Sequence, residues 1–391
     1  MLKQIEGSHA VAQVVAMCRP NVISAYPITP QTHIVEDLAM IVGKGSLEAE
    51  FVNVESEFAA ASVVLGASAA GARAYSATTS QGLLLMSEVI YCIAGMRLPI
   101  VLTIANRAIS APLSIWNDQQ DSMALRDAGW IQLHAEDNQE AADLHIQAFR
   151  IAEETSLPVM VCMDGFILTH AFEPVDIPDP KAVDGFLPAF TPANIVDPRS
   201  PRGIGLYADP RFYLETRYIL HRAMERSEET IKAVSADFEK AFGRDSGGLI
   251  KTYKMEDADL AIVSMGSVVG TIKDLIDRLE EEGKKVGLLQ ICSYRPFPRH
   301  AVYRALKDKM NIVVLEKSVS LGRGGILASD VRWSFPRAEK HERNISSFIA
   351  GLGGRNISMD DLRYMVEKVE KEPVELEFLG LKKDLISDKE V

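Results

Sequence analysis

Short, nearly unbroken apolar runs alternate with amphipathic stretches through the first 170 residues. Residues 21–25, 51–54, 72–77, 99–105 and 158–164 read as strands buried on both faces. Helical periodicity fills the gaps. Val11, Val14, Val15 and Cys18 share one side of a helix over 8–18, and Ile34, Leu38 and Ile41 share one over 31–43. An Ala-rich helix behind Glu57 carries Ala60, Ala61, Val64, Leu65 and Ser68 at three- and four-residue steps. Further helices are predicted from Thr78-Thr79-Ser80-Gln81-Gly82 to Gly95, and over 139–155. Repeated strand–loop–helix units of this kind predict a doubly wound parallel α/β sheet with helices on both faces.

The pattern changes after Phe172. Pro174, Pro178, Pro180, Pro188, Pro192, Pro198, Pro201 and Pro210 punctuate a segment of little periodicity, and a long charged helix over 212–242 follows. A second, smaller α/β unit starts near Lys254. It has strands at 260–264, 286–291, 312–316 and 345–349, a helix at 268–282 and a rigid loop Tyr294-Arg295-Pro296-Phe297-Pro298. The expected organisation is a first domain over 1–172, a connector with its helix over 173–253, a second domain over 254–370 and a tail over 371–391.

A chain of 391 residues has room for two such cores. A net charge of −12 argues against nucleic-acid and anionic-membrane binding. The longest apolar runs are strand-sized, short of the roughly 20 residues a bilayer requires. The N-terminus shows no basic region followed by an apolar core, so a cytoplasmic protein is expected. Cys18, Cys92, Cys162 and Cys292 are spread far apart, which disfavours a zinc ribbon or an iron–sulfur motif. Each is expected to be a buried free thiol, with any electron carriers on another chain.

The candidate chemistry lies at the expected carboxyl ends of strands, where ligands collect in open parallel sheets. In Tyr26-Pro27-Ile28-Thr29-Pro30, Thr29 is expected at a helix N-cap, either as a simple cap or as a donor to a small carboxylate. Glu57 is either a first-turn glutamate favoured by the helix dipole or a desolvated carboxylate able to hold a proton against a heterocyclic nitrogen. Glu55 would point about 160° away round the same helix. Arg107 follows a buried strand; it either pairs with Asp118 or Asp121, or offers a planar fork to a substrate carboxylate. Gly322-Arg323-Gly324-Gly325 and Gly351-Leu352-Gly353-Gly354-Arg355 match no Walker loop or dinucleotide fingerprint and read as tight turns.

Taken in order, Tyr26-Pro27-Ile28-Thr29-Pro30, Glu57 with its Ala/Gly-rich helix, Ser80-Gln81-Gly82-Leu83-Leu84-Leu85-Met86, Asn106-Arg107-Ala108 and Tyr294-Arg295-Pro296-Phe297 resemble the alpha subunits of 2-oxoacid:ferredoxin oxidoreductases, in particular the pyruvate type. The resemblance implies a pyrimidine-type thiamine-diphosphate domain followed by a transketolase C-terminal-like domain. It implies coenzyme A-dependent oxidative decarboxylation of pyruvate, reversibly, with ferredoxin as acceptor. The alternatives are the same chemistry on a branched-chain, aromatic or 2-oxoglutarate substrate, or a noncatalytic scaffold subunit. By the resemblance, Glu57 would bond pyrimidine N1′, and Thr29 and Arg107 would hold the substrate carboxylate. Pro27, Ile28, Thr79, Ser80 and Gln81 would also line the cofactor. No metal site is expected on this chain. The thiamine diphosphate would be shared with a partner, while magnesium and iron–sulfur clusters would lie on beta-, gamma- and delta-type subunits. The loop around Trp116 and Gln119 departs from the family's more frequent phenylalanine and histidine, and is expected to bear on which 2-oxoacid is used.

Overall fold

The computed structural model describes residues 2–192, 195–201, 203–336 and 343–387. The first half runs β1 (Leu2–Glu6), α1 (Gly7–Met17), β2 (Val22–Ala25), α2 (Thr32–Gly43), β3 (Glu50–Asn53) and α3 (Glu57–Ala69). It continues with β4 (Ala74–Thr78), α4 (Ser80–Leu85), α5 (Ser87–Gly95), β5 (Val101–Asn106) and α6 (Gln120–Ala124). Next come β6 (Ile131–His134), α7 (Asn138–Thr155), β7 (Val159–Asp164), β8 (Phe172–Asp176), α8 (Pro180–Phe186) and the long α9 (Tyr213–Phe242). The second half has β9 (Ile250–Tyr253), β10 (Leu260–Ser264), α10 (Val268–Glu281), β11 (Val286–Ile291), β12 (Ser293–Arg295) and α11 (Arg299–Leu306). It closes with β13 (Asn311–Glu316), α12 (Ile326–Ser334), β14 (Asn344–Ile349), α13 (Met359–Lys371) and β15 (Glu377–Phe378).

The first sheet is ordered β12-β6-β7-β5-β4-β2-β3 and is parallel except for β12. Its strands show why unbroken apolar runs are needed. Val101, Val159 and Val161 pack into a core on one face, while Leu102, Ile104, Met160 and Cys162 pack into a core on the other. Successive side chains alternate across the sheet, so both positions must be apolar when helices cover both faces. The second sheet, β15-β14-β13-β10-β11-β9, is parallel except for β9. It is likewise covered on both faces.

Several segments differ from the sequence reading, each because a distant partner recruits it. Part of the expected connector is β8, which pairs antiparallel with the N-terminal β1. The loop at Tyr294 begins as β12, which adds to the edge of the first sheet at β6 and so stitches the two halves together. Met123 of α6 packs in the core of the second half. Cys18, Cys162 and Cys292 are buried free thiols, but Cys92 is exposed. No helix among the described residues is long and apolar enough to cross a membrane.

Candidate active site

The parallel strands β2, β4, β5 and β7 end on one edge. The chain steps outward from β2 to β3 and then returns to β4 on the other side of β2, so the strand order reverses between β2 and β4. Such a switch point opens a crevice at the carboxyl ends.

Glu57 reaches this crevice from the first turn of α3. Ser56 caps that helix by accepting the Ala59 amide at 3.2 Å. The cap sets the helix phase, and Glu57 lies on the buried side with Ala60, Ala61 and Val64. It is 7% exposed, whereas Glu55 is exposed. Among the described residues its carboxylate accepts no hydrogen bond. It lies instead against α4 at Gly82. A Cβ on Gly82 would come within 2.6 Å of Glu57 Oε1 and 2.7 Å of Thr78 Oγ1, so glycine is what allows α4 this close. Thr78 Oγ1, at that same contact, and Gln81 Nε2, one residue before Gly82, are buried without a partner among the described residues. Buried polar atoms of this kind are costly unless something satisfies them.

Thr79 and Ser80, expected to line a cofactor, have their hydroxyls engaged within the protein. Thr79 Oγ1 donates to the Ala105 carbonyl at 2.5 Å, and Ser80 Oγ bonds the Ala108 carbonyl and Gln81 Oε1. Both residues are fully buried, so their hydroxyls join β4 to β5. The groups left open here are Thr78 and Gln81. Pro27 and Thr29 are exposed and Ile28 is half-buried along the rim.

Thr29 is not the N-cap of α2. The amide of Gln31 donates to the Ile28 carbonyl at 2.9 Å, and this turn shifts the helix start so that Gln31 takes the cap position. Gln31 is fully buried and donates to the Tyr26 carbonyl at 2.8 Å and the Ala77 carbonyl at 3.2 Å, fixing the turn to β4. The Thr29 carbonyl points the other way and accepts from Arg107 Nη1 at 2.8 Å. Arg107 Nε donates to the Ser114 carbonyl at 3.0 Å. The guanidinium therefore bonds neither Asp118 nor Asp121. Burial draws its pKa down and the nearby Asp121 carboxylate draws it up. A cation held by carbonyls keeps its charge available to an anion.

Asp121 is the residue that sequence reasoning undervalued. Its fully buried carboxylate accepts the amides of Ser80 at 2.9 Å and Arg107 at 3.0 Å, and the side-chain amide of Asn106 at 2.8 Å. It clamps the end of β4 to the end of β5, and holds Ser80 at a left-handed φ of 48°. Burial pushes its pKa up to about 7 against those donors. No local pattern signals this role, because the amides it binds are far away in sequence.

The loop after Arg107 is seated on the second half. Lys317 Nζ donates to Asp164 Oδ2 at 2.8 Å and to Asn117 Oδ1 and Ser267 Oγ at 3.1 Å. Burial opposes the Asp164 charge, but Lys317 and Ser267 outweigh it and hold the carboxyl below its usual range. Gln119 is fully buried and reaches Asp164 at 3.3 Å. Trp116 remains 53% exposed and packs on Phe166. Of the two residues expected to shape a substrate pocket, only Trp116 faces open space. The Gly353 and Gly354 amides donate to Asp118 and to the Asn117 carbonyl, which leaves neither amide for a phosphate.

Residues 13–236 match the family described as pyruvate flavodoxin/ferredoxin oxidoreductase, thiamine diP-bdg. Residues 258–362 match pyruvate:ferredoxin oxidoreductase core domain II. The chain is 46% identical over 391 residues to pyruvate synthase subunit PorA of Methanosarcina barkeri, covering 98% of this chain and 97% of that one. It is 38% identical over 370 residues to ketoisovalerate oxidoreductase subunit VorA of Pyrococcus horikoshii, covering 94% of each. Its fold is similar to that of 2-oxoglutarate:ferredoxin oxidoreductase from Magnetococcus marinus, with a TM-score of 0.72 at 22% identity. That alignment covers 94% of this chain and spans 65% of the solved one.

Proposed function

Since the chain belongs to the pyruvate flavodoxin/ferredoxin oxidoreductase family, as a pyruvate synthase alpha subunit, we propose that Glu57 is its cofactor-activating carboxylate. The observation that supports this is the unpartnered Glu57 carboxylate, set on Gly82 beside the open Thr78 and Gln81 groups. An aminopyrimidine offers both ring-nitrogen acceptors and amino donors. A carboxylate able to carry a proton, a hydroxyl and an amide N–H suit it. Thiamine diphosphate, when bound, supplies the electron sink that decarboxylation of a 2-oxoacid requires.

The chain's own residues have distinct tasks. Glu57 holds a proton at the pyrimidine N1′. Gly82 keeps α4 close enough to pin that carboxylate, and the Pro27–Ile28 turn forms the rim of the pyrimidine site. Arg107 and the Thr29 hydroxyl hold the carboxylate of pyruvate, with Asp121 setting the backbone from which Arg107 projects. Trp116 borders the space for the substrate's side chain. The thiamine-diphosphate site is shared with a beta-type subunit that supplies magnesium. Gamma- and delta-type subunits complete the complex with iron–sulfur clusters leading to ferredoxin, since the four cysteines here are too scattered to hold one. Coenzyme A is the acyl acceptor.

Glu57→Gln in the reconstituted complex tests this reading. Pyruvate-dependent viologen reduction should fall by about 10²–10⁴-fold, with the thermal midpoint unchanged. A near-wild-type rate would overturn it. Arg107→Ala should chiefly raise KM for pyruvate, and an unchanged KM and kcat would remove Arg107 from the site.

A further inference from the structure

Behind the Thr29 turn, β1, α1 and α2 bring two histidines and two carboxylates together. Glu6 and His9 are three residues apart at the start of α1. His33 and Asp37 are four apart on α2. These spacings place each pair on one helix face. Glu6 Oε1 and His33 Nδ1 share a hydrogen bond of 2.6 Å, which an entering ion would replace, and Glu6 Oε2 lies 3.7 Å from His9 Nε2. One ligand atom from each of Glu6, His9 and His33 falls within 4.8 Å of the other two.

The orientation of His9 matters most. Its Nδ1 is bonded to the Asp37 carboxylate, which leaves Nε2 as the nitrogen facing Glu6. The separation of 3.7 Å is too long for a hydrogen bond. It is close to the roughly 3.3–3.5 Å between two ligands of a tetrahedral ion with bonds of about 2.0–2.1 Å. An imidazole whose other nitrogen is held by a carboxylate is the usual arrangement around a bound metal. The Glu6 side chain is 9% exposed, while those of His9 and His33 are 37% and 40% exposed, so the ligands are sheltered on one side and open to an entering ion on the other.

We propose that Glu6, His9 and His33 bind one divalent transition-metal ion of the zinc class, with Asp37 orienting His9 and water completing the coordination. The two imidazoles select against magnesium and calcium, which take oxygen ligands. The ion would join β1, α1 and α2 beneath the Thr29 turn. It is separate from the reading of Glu57 and does not depend on it.

The test uses the full-length chain, stripped with a chelator and titrated with Co²⁺ alone, then Zn²⁺. One Co²⁺ per chain should give visible d–d bands that Zn²⁺ displaces, and the thermal midpoint should rise with metal. His9→Gln and His33→Gln should each abolish the bands while far-UV circular dichroism is retained. Asp37→Asn should weaken binding by about 10–100-fold. Absence of bands in the wild-type chain overturns the proposal. So does a His9→Gln/His33→Gln double variant that binds Co²⁺ as well as wild type. If either histidine variant misfolds, Glu6→Gln decides: wild-type Co²⁺ affinity overturns the proposal, and a lost site supports it.

Discussion

Glu57 and Glu316 are both buried glutamates near the carboxyl edge of a parallel sheet, and each lies against a glycine beside a helix. Glu57 meets Gly82 in α4, and Glu316 meets Gly325 just before α12. The Glu316 carboxylate accepts the amides of Ile326 and Leu327 at 2.8 Å and of Ala328 at 3.1 Å, with the Ser318 hydroxyl also at 3.1 Å. Burial raises its pKa, and those four donors draw it back. It is a helix cap with no capacity to spare. Glu57 is also buried, though at 7% exposure against 1% for Glu316, and it too lies against a glycine, yet no donor reaches it among the described residues. A buried carboxylate becomes available for chemistry where the fold withholds donors from it, and becomes structural where the fold supplies them.

The largest effects come from exchanging each carboxylate for an amide. Glu316→Gln turns an NH₂ toward backbone N–H donors and should cost about 1–3 kcal/mol of stability, read by denaturant unfolding, with turnover per assembled complex retained. Glu57→Gln should do the reverse. Equal stability losses in the two variants would erase the contrast. Next is Gly82→Ala, whose Cβ must push away Glu57 and Thr78. A displacement of about 1 Å there should lower turnover by about 10²-fold. A wild-type rate would mean that the position of Glu57 is not held by α4.

The last contrast is in pH dependence, between two buried aspartates in opposite environments. Asp121 clamps the end of β4 to the end of β5 and has its folded pKa raised to about 7. The unfolded chain ionises near the ordinary value of about 3.9, so the Asp121 contribution to stability is full below that and is lost as pH rises through about 7. The stability gap between wild type and Asp121→Asn should shift against wild type from about pH 4 to 7. Asp164 faces Lys317 and has its folded pKa lowered. Its contribution is present above about pH 4 and is lost on further acidification. Chemical unfolding across pH 3–8 checks both, and a same-signed slope for the two aspartates would contradict their assigned environments.

Much of this arrangement was legible in the chain. The apolar runs predicted β2, β5, β7, β10, β11, β13 and β14 to within a few residues, because alternation across a doubly covered sheet is a local constraint. The helical stripe behind Glu57 distinguished it from Glu55, as the burial of the two residues bears out. Short strands such as β9 and β12 were not legible. They are extended only because a distant strand offers them an edge.

By itself, then, the sequence determined the two sheets, the strand ends at which polar residues gather, and the family. Tertiary structure alone decided which of those polar residues remain open. Thr79 and Ser80 lose their hydroxyls to carbonyls of the neighbouring chain segment, and Arg107 takes the Thr29 carbonyl rather than an aspartate. Glu316 is saturated by amides ten to twelve residues on, while Glu57 lies against Gly82 with no donor among the described residues. The reason is physical. Apolar patterning acts through local geometry, whereas the satisfaction of a buried polar atom depends on donors and acceptors that only the folded chain brings within about 3 Å.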